Sequence, residues 1–350
     1  MNRVIYLKTT ESCNLSCKHC FTEGNIPKRY YWNTEAIINW IDRLLCFCPN
    51  DYIHFELHGG EPMLAPMSSL QSVYSHIRGK NNNKLSIGMT SNLVYKLNQE
   101  KIDFITSLDG FGTSWDPDIR FSNDNQLRLW IDNVKYLNTK RFMTLFISVS
   151  KGLITFDTDE LLLFIKDLGF QRVHFERITS DGNAKKNLDL FPNNQEIDQW
   201  YLRLHDSVER LQARQWYYIT SLEDVYSKFE KFQFCNGTFC RDCQEKLFTI
   251  NANGTIAGCP NSAPTEHYGH ISQSIESLLQ SSKRIDSIIK EKERNPLCYT
   301  CPVFKYCGSD CHKLSWDGDI CPAPKSLMYK LMMKKEKEIE ERLQQFNKGN

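Results

Sequence analysis

Three cysteines sit close enough in the chain to wrap a single metal group: Cys13, Cys17 and Cys20, in Glu11-Ser12-Cys13-Asn14-Leu15-Ser16-Cys17-Lys18-His19-Cys20. A structural zinc ion or an ordinary [4Fe–4S] cluster takes four protein ligands. Three thiolates leave one iron of such a cluster without a protein sulfur, and an open metal position is where a substrate or cofactor binds. The competing reading is a zinc or purely structural site whose fourth ligand lies elsewhere in the chain. Further along, His58-Gly59-Gly60-Glu61-Pro62 joins two glycines, which let a backbone approach a ligand closely, to a carboxylate able to accept from an ammonium group. Thr90-Ser91-Asn92 reads equally as a contact loop or as plain turn chemistry. Ser107-Leu108-Asp109-Gly110 precedes Arg120, whose guanidinium fork suits a carboxylate. Ser148 and Arg177 end later apolar runs and can face the same side.

A second set of cysteines lies near the other end. Cys243 is followed by ten residues, Gly254, four residues and Cys259. Then come Cys298-x2-Cys301-x5-Cys307-x3-Cys311 and, after a gap, Cys321. Cys235 and Cys240 stand just upstream. A zinc-ribbon module is the alternative, since Cys240-x2-Cys243 and Cys298-x2-Cys301 have zinc-like spacing. The long separation and the additional cysteines fit it poorly. Cys46 and Cys48, beside Phe47 at a helix end, read as packing residues. The chain holds 14 cysteines, and none falls between Cys48 and Cys235. Without an export signal, that number argues for metal binding in a reducing compartment rather than for disulfides.

The elements that must position these residues alternate regularly. Short apolar runs at 4–8, 52–57, 85–90, 102–108, 142–149 and 172–175 read as strands. Stretches at 34–45, 126–137 and 158–168 repeat apolar residues every three and four positions, as helices do. Thr34 and Asp157 serve as helix starts, and Gly169 ends the last of the three. Six strand–helix repeats predict an α/β fold with a parallel sheet, open or curled into a partial (β/α)6 barrel. Working residues in such folds sit in loops beyond the carboxyl ends of strands. Residues 178–190 read as loop, 194–232 as bridging helices, and 325–345 as a charged amphipathic helix. The expected division is 1–185 barrel, 186–232 helical bridge, 233–325 cysteine-rich domain with one helix near 274–292, and 326–350 C-terminal helix. The cysteine-rich core is too small to stand without staples, which metal clusters supply.

Composition excludes several classes. Over 350 residues the formal net charge is +1, with 41% hydrophobic and 24% charged residues. That is ordinary for a globular chain and gives no charge excess for nucleic acid or an anionic membrane. No apolar run reaches membrane-spanning length, and the N-terminus lacks the pattern of a signal peptide. A cytoplasmic location is expected.

The CxxxCxxC loop directly after a first strand resembles that of the radical S-adenosylmethionine (SAM) superfamily. The seven-cysteine pattern from Cys243 to Cys321 resembles the SPASM domain that follows the radical domain in peptide maturases. The resemblance implies that the open iron chelates SAM, that an electron cleaves it to a 5′-deoxyadenosyl radical, and that the radical abstracts hydrogen. It implies that Gly59, Gly60 and Glu61 hold the amino group of SAM and that Ser107 and Arg120 contact its carboxylate. The family's usual His-Asp before this arginine is Trp115-Asp116 here. Ser148 and Arg177 would meet ribose or substrate. Two auxiliary [4Fe–4S] clusters follow from the same resemblance: Cys243, Cys259 and Cys311, completed by Cys240 in preference to Cys235, and Cys298, Cys301, Cys307 and Cys321. Full cysteine ligation would favour electron transfer.

The implied substrate is a ribosomally made peptide, to be crosslinked, joined by a thioether, epimerised or oxidised. A small molecule, sugar or nucleotide is the alternative, as is sulfatase maturation. That last group often has an acidic residue after the cysteine equivalent to Cys259, where Pro260-Asn261 stands here. Implied partners are an electron donor such as flavodoxin or ferredoxin and, because the barrel starts almost at Met1, a separate leader-binding protein or the bridge helices in that role. Asp181, Glu176, His174 and Tyr268 are acid–base candidates, each as readily structural.

Overall fold

In the computed structural model, which describes residues 1–22, 31–233, 237–262 and 266–348, the apolar runs become the staves of a curved parallel sheet. The strands are β1 (Asn2–Lys8), β2 (Tyr52–His58), β3 (Leu85–Thr90), β4 (Gly110–Ser114), β5 (Thr144–Val149), β6 (Arg172–Arg177) and the two-residue β7 (Tyr218–Ile219). They pair in sequence order, each parallel to the next. Helices α1 (Thr34–Phe47), α2 (Met67–Gly79), α3 (Gln99–Ser107), α4 (Asp124–Asn138), α5 (Lys151–Ile154) and α6 (Thr158–Asp167) connect them. Asn33, rather than Thr34, caps α1 by accepting from the Ala36 N–H; Asp157 caps α6 as expected.

Strand residues alternate between two faces. Ile5 and Leu7, Ile53, Phe55 and Leu57, Ile87 and Met89, Leu145 and Ile147, and Val173 and Phe175 are buried in the core that includes Trp40 and Trp130 of the helices. Apart from Val4 and Phe146, the alternate positions are mostly polar: Tyr6 and Lys8; His54, Glu56 and His58; Thr90; Ser114; Ser148; His174 and Glu176. His54 bridges Ser86 Oγ at 2.8 Å and Glu56 Oε2 at 3.0 Å, and Thr90 Oγ1 donates to Glu56 Oε1 at 2.6 Å. A closed (β/α)8 barrel fills its interior with branched apolar side chains. Here the inner face is ionisable, as suits a chamber for a polar ligand.

One element departs from the sequence reading. The run at 102–108 is not a strand but the end of α3, capped by Asn98 and burying Phe104 and Ile105. The fourth strand is β4, whose Gly110 and Gly112 conceal it from propensity. A Cβ on Gly112 would stand 2.5 Å from the Phe146 ring on β5, so the position needs glycine.

The chain then forms α7 (Asn194–Leu211), entered by a capping box between Asn193 and Glu196, and α8 (Thr220–Glu230). The C-terminal region contains α9 (Cys243–Lys246), β8 (Leu247–Ile250), β9 (Thr255–Ala257), β10 (Gly269–His270), α10 (Ile275–Leu279), α11 (Ser282–Lys292), α12 (Phe304–Cys307) and α13 (Lys325–Lys348). The expected helix near 274–292 is thus two. β8 pairs with β1 in parallel, Val4 opposite Leu247, and leads into the antiparallel β9 and β10. The cysteine-rich region therefore continues the barrel's own sheet. α13 packs on α7 and α8. No described helix is long and apolar enough to cross a membrane.

Candidate functional site

The cysteine loop springs from the carboxyl end of β1 and is gripped from four sides. The first grip is His58–Glu61, which continues the β1–β2 pairing beyond both strands. Thr9 N donates to His58 O, Gly60 N to Thr10 O and Glu61 N to Ser12 O at 2.8–2.9 Å. A Cβ on Gly59 would lie 2.3 Å from Thr10 O, and one on Gly60 2.1 Å from Ser12 O. The glycines thus let this segment lie directly against the cysteine loop. Glu61 also departs from its expected role. It is fully buried, and its carboxylate accepts from Met63 N at 2.9 Å, Ser91 Oγ at 2.8 Å and Asn92 N at 2.7 Å. Burial pushes its carboxyl up to about 7 against those donors. It is an internal clamp between two loops.

Asn92 is the second grip. Its amide donates to Asn14 Oδ1 at 2.7 Å and to Cys13 Sγ at 3.6 Å. The third is Asp116–Arg120, beyond β4. Lys18 N donates to Ile119 O at 3.0 Å, and Cys17 Sγ lies 3.9 Å from Arg120 O. Asp116, completely buried, accepts from Arg120 Nε at 2.6 Å and Ser148 N at 2.5 Å, and lies 3.3 Å from His19 Nε2. Burial alone would raise its carboxyl, but Arg120 and His19 hold it well below the usual range. The fourth grip follows β6: Asn183 N donates to Cys20 O at 2.8 Å, and Asn187 Nδ2 to Lys18 O at 3.1 Å.

Arg120 therefore reaches the cysteine loop, Ser148 is linked to it only through Asp116, and Ser107 is not linked to it. Ser107 ends α3 with its hydroxyl on Phe104 O at 2.7 Å, before the amino end of β4 and across the barrel from the loops. Once the strand at 102–108 gives way to a helix, the Ser-Leu-Asp-Gly segment moves to the wrong end. Residues that sequence reasoning missed are Asp116, read only as a departure from a pattern, and His19, Asn183 and Lys8. Lys8 is 1% exposed, with its ammonium 5.9 Å from the Phe21 ring. A charged residue at an inward position of an apolar run was the available signal. Glu176 is accessible yet surrounded by protein, which pushes its carboxyl up to about 7. His174 and Asp181 lie near it in the chain, whereas Tyr268 is buried beside β10.

The donors fit an iron–sulfur group. Burial pushes the Cys13 thiol up to about 12 and Cys17 to about 11, with Glu61 adding to the first and Cys20 to the second. A cationic metal centre supplies the charge that turns such thiols into thiolates. Thr9 Oγ1, Glu11 Oε2, Ser12 Oγ, His19 Nδ1 and His58 Nδ1 are buried and have no hydrogen-bond partner among the described residues. Clustered orphans of this kind point to a polar ligand. Among the described residues no three His, Cys, Asp or Glu side chains converge as on a single ion.

The remaining cysteines fall into two neighbourhoods. Cys259 and Cys311 act on the charge of Cys243, and Cys311 on that of Cys259; in the second neighbourhood Cys321 acts on Cys307, and Cys301 on Cys321. Cys298 joins the second through the turn in which Cys301 N donates to its carbonyl at 3.1 Å. Burial pushes the Cys259 thiol to about 11 and Cys307 to about 12. Cys240 is in a disulfide. A sulfur so bonded becomes a thiolate ligand only after reduction, so the place expected for Cys240 beside Cys243 is a proposal. Cys235 lies outside the described residues. Cys46 is exposed and Cys48 caps α1.

A curved six-stave sheet with a three-cysteine loop beyond its first strand is the partial barrel of the radical SAM enzymes, and this chain has that fold. Residues 3–119 match the family described as a 4Fe-4S single cluster domain. Among solved structures the chain is similar to anSMEcpe with bound AdoMet and Cp18Cys peptide, at a TM-score of 0.76 and 16% identity over 96% of each chain. It is also similar to Streptococcus suis SuiB bound to S-adenosylmethionine, at 0.64 and 13% over 91% of this chain and 77% of that one. SuiB bound to precursor peptide SuiA gives 0.62 and 12%, over 89% and 72%. No curated protein matches the chain in sequence.

Proposed function

We propose that this chain is a radical SAM enzyme acting on a ribosomally made peptide. The carrying observation is the cysteine loop held at the mouth of a polar barrel by four separate loops, with buried orphan polar atoms around it. Cys13, Cys17 and Cys20 would hold a [4Fe–4S] cluster with one iron open to SAM. Bound together, the two supply the one-electron cleavage that generates a 5′-deoxyadenosyl radical able to take hydrogen from a substrate carbon.

The chain's own residues do the positioning. Asn92 donates toward Cys13, which favours its thiolate. Asp116 fixes Arg120 beside Cys17, where a guanidinium can meet the SAM carboxylate. Glu61 locks the first and second grips together. Glu176 gives the chamber an acid for a polar substrate. The peptide reading is supported by the likeness to SuiB and anSMEcpe, both solved with peptides. We assign residues 1–185 to the barrel, 186–232 to the bridge, 233–325 to an auxiliary-cluster domain and 326–350 to a closing helix. Electrons would come from a carrier such as flavodoxin or ferredoxin.

The test is anaerobic reconstitution of the wild type and of C13A/C17A/C20A, with iron counting and detection of 5′-deoxyadenosine. The wild type should bind about twelve irons and cleave SAM; the triple variant should keep about eight and cleave none, as three four-iron clusters require. Cleavage by the triple variant, or zinc in place of iron, rejects the assignment.

A further inference from the structure

We infer that Arg241 is a buried positive charge shared by both auxiliary cysteine sets, and that it raises the reduction potentials of the clusters they hold. This rests on the auxiliary clusters proposed above. Cys307 belongs to one set and Cys311 to the other, so Gly308-Ser309-Asp310 is the shortest covalent path between them. All three residues are left-handed, at φ of 62°, 82° and 52°. Ser and Asp seldom adopt that conformation, and two in succession require an external hold.

Arg241 provides it. Its guanidinium donates to the carbonyls of Asp310 and of Ser309, the latter at 2.8 Å, and on its other side to Glu291 O at 3.0 Å and Glu293 O at 2.7 Å. Arg241 is 6% exposed. All four acceptors are neutral main-chain oxygens, so these contacts fix the guanidinium without cancelling its charge. Cys298 of one set and Cys311 of the other both lie within its electrostatic reach. Arg294 is a second cation close by, on the same Glu291 and Glu293 carbonyls but on the side away from Ser309 and Asp310, and the other charges nearby differ in kind. Asp310 is matched by Arg177, Glu291 accepts from Cys243 N and Gln244 N, and Lys228 senses Cys307 alone among the cysteines.

Reduction adds one electron, and so one negative charge, to a cluster. A fixed cation nearby stabilises the reduced form more than the oxidised one. Because Arg241 stands between the sets, removing its charge should lower both potentials together, whereas a purely structural residue would act through its contacts.

EPR-monitored redox titration of the reconstituted full chain tests this, in the C13A/C17A/C20A background so that only the auxiliary signals remain. In R241Q both midpoints should move negative by a tenfold or greater change in the reduced-to-oxidised ratio at fixed poise, about 59 mV for a one-electron couple. R241K keeps the charge but not the four-carbonyl grip, and should stay within threefold of the parent ratio. Unchanged midpoints in R241Q, a shift of one cluster alone, or an R241K shift as large as that of R241Q each overturn the inference. If R241Q does not retain about eight irons, R241K decides: a tenfold shift there overturns it, and parent-like midpoints support it. A parent protein with zinc or no auxiliary iron fails at the metal count, which rejects the functional reading instead.

Discussion

Asp116 illustrates how much of this site depends on single buried groups. One carboxylate joins the loop after β4 to Arg120, to His19 inside the cysteine loop and to the backbone at the end of β5. D116N keeps the shape but removes the charge opposite a buried guanidinium. Breaking a buried pair in this way costs about 3–5 kcal/mol. The sign with pH follows from the depressed carboxyl. Its contribution is complete above the unfolded value of 3.8 and is lost as pH falls through the lower folded value. Urea unfolding should therefore separate wild type from D116N widely at pH 7 and progressively less below pH 4. A gap that stays constant down to pH 3 would mean that the charge is not what Asp116 contributes.

At the scale of elements, what was legible in the sequence was whatever is encoded locally. Cys13, Cys17 and Cys20 lie within one loop, so their spacing alone defined a candidate site. Five of the six barrel strands announced themselves through buried residues such as Ile5, Phe55 and Ile147. β4 did not, because Gly110 and Gly112 conceal it, the latter needed where the stave crowds Phe146. The apolar run one element earlier was taken in its place, and Ser107 went with it to the wrong end. Asp116 and Asn183 were not legible as site residues, since each acts through partners distant in sequence, and Asn92 was legible only as part of a segment that reads equally as a turn. The grip of one loop on another is testable at Gly60. A methyl there would meet the Ser12 carbonyl, which is main chain and cannot swing aside. G60A should displace the cysteine loop, cut bound iron from about twelve to about eight per chain, and reduce SAM cleavage more than tenfold. Gly79, with nothing within 4 Å of its Cβ position, is the control: G79A should keep full iron. Full iron and cleavage in G60A would show that the two segments have room to part.

For the whole molecule, the question is what makes barrel and cysteine-rich region one body. The sheet does part of it, since β8 lies directly on β1. The opposite side is closed by Arg177 at the end of β6, which forks onto both oxygens of Asp310 at 2.6 and 2.8 Å and reaches Pro322 O at 2.8 Å. Asp310 is fully buried and also accepts from Thr238 Oγ1 and Cys311 N. This one ion pair thus connects a stave of the chamber to the segment between the two auxiliary sets. R177M leaves a buried carboxylate uncompensated and should lose about 3–5 kcal/mol. D310N leaves the arginine instead, with an amide that still accepts some of the same donors, and should lose less. In the double variant neither charge remains, and replacing both partners of a buried pair is often close to neutral. The losses should therefore be strongly non-additive, with R177M/D310N more stable than R177M alone. Denaturant unfolding of the four proteins gives the coupling directly, and additive losses would show that Arg177 and Asp310 stabilise their own regions separately rather than joining them.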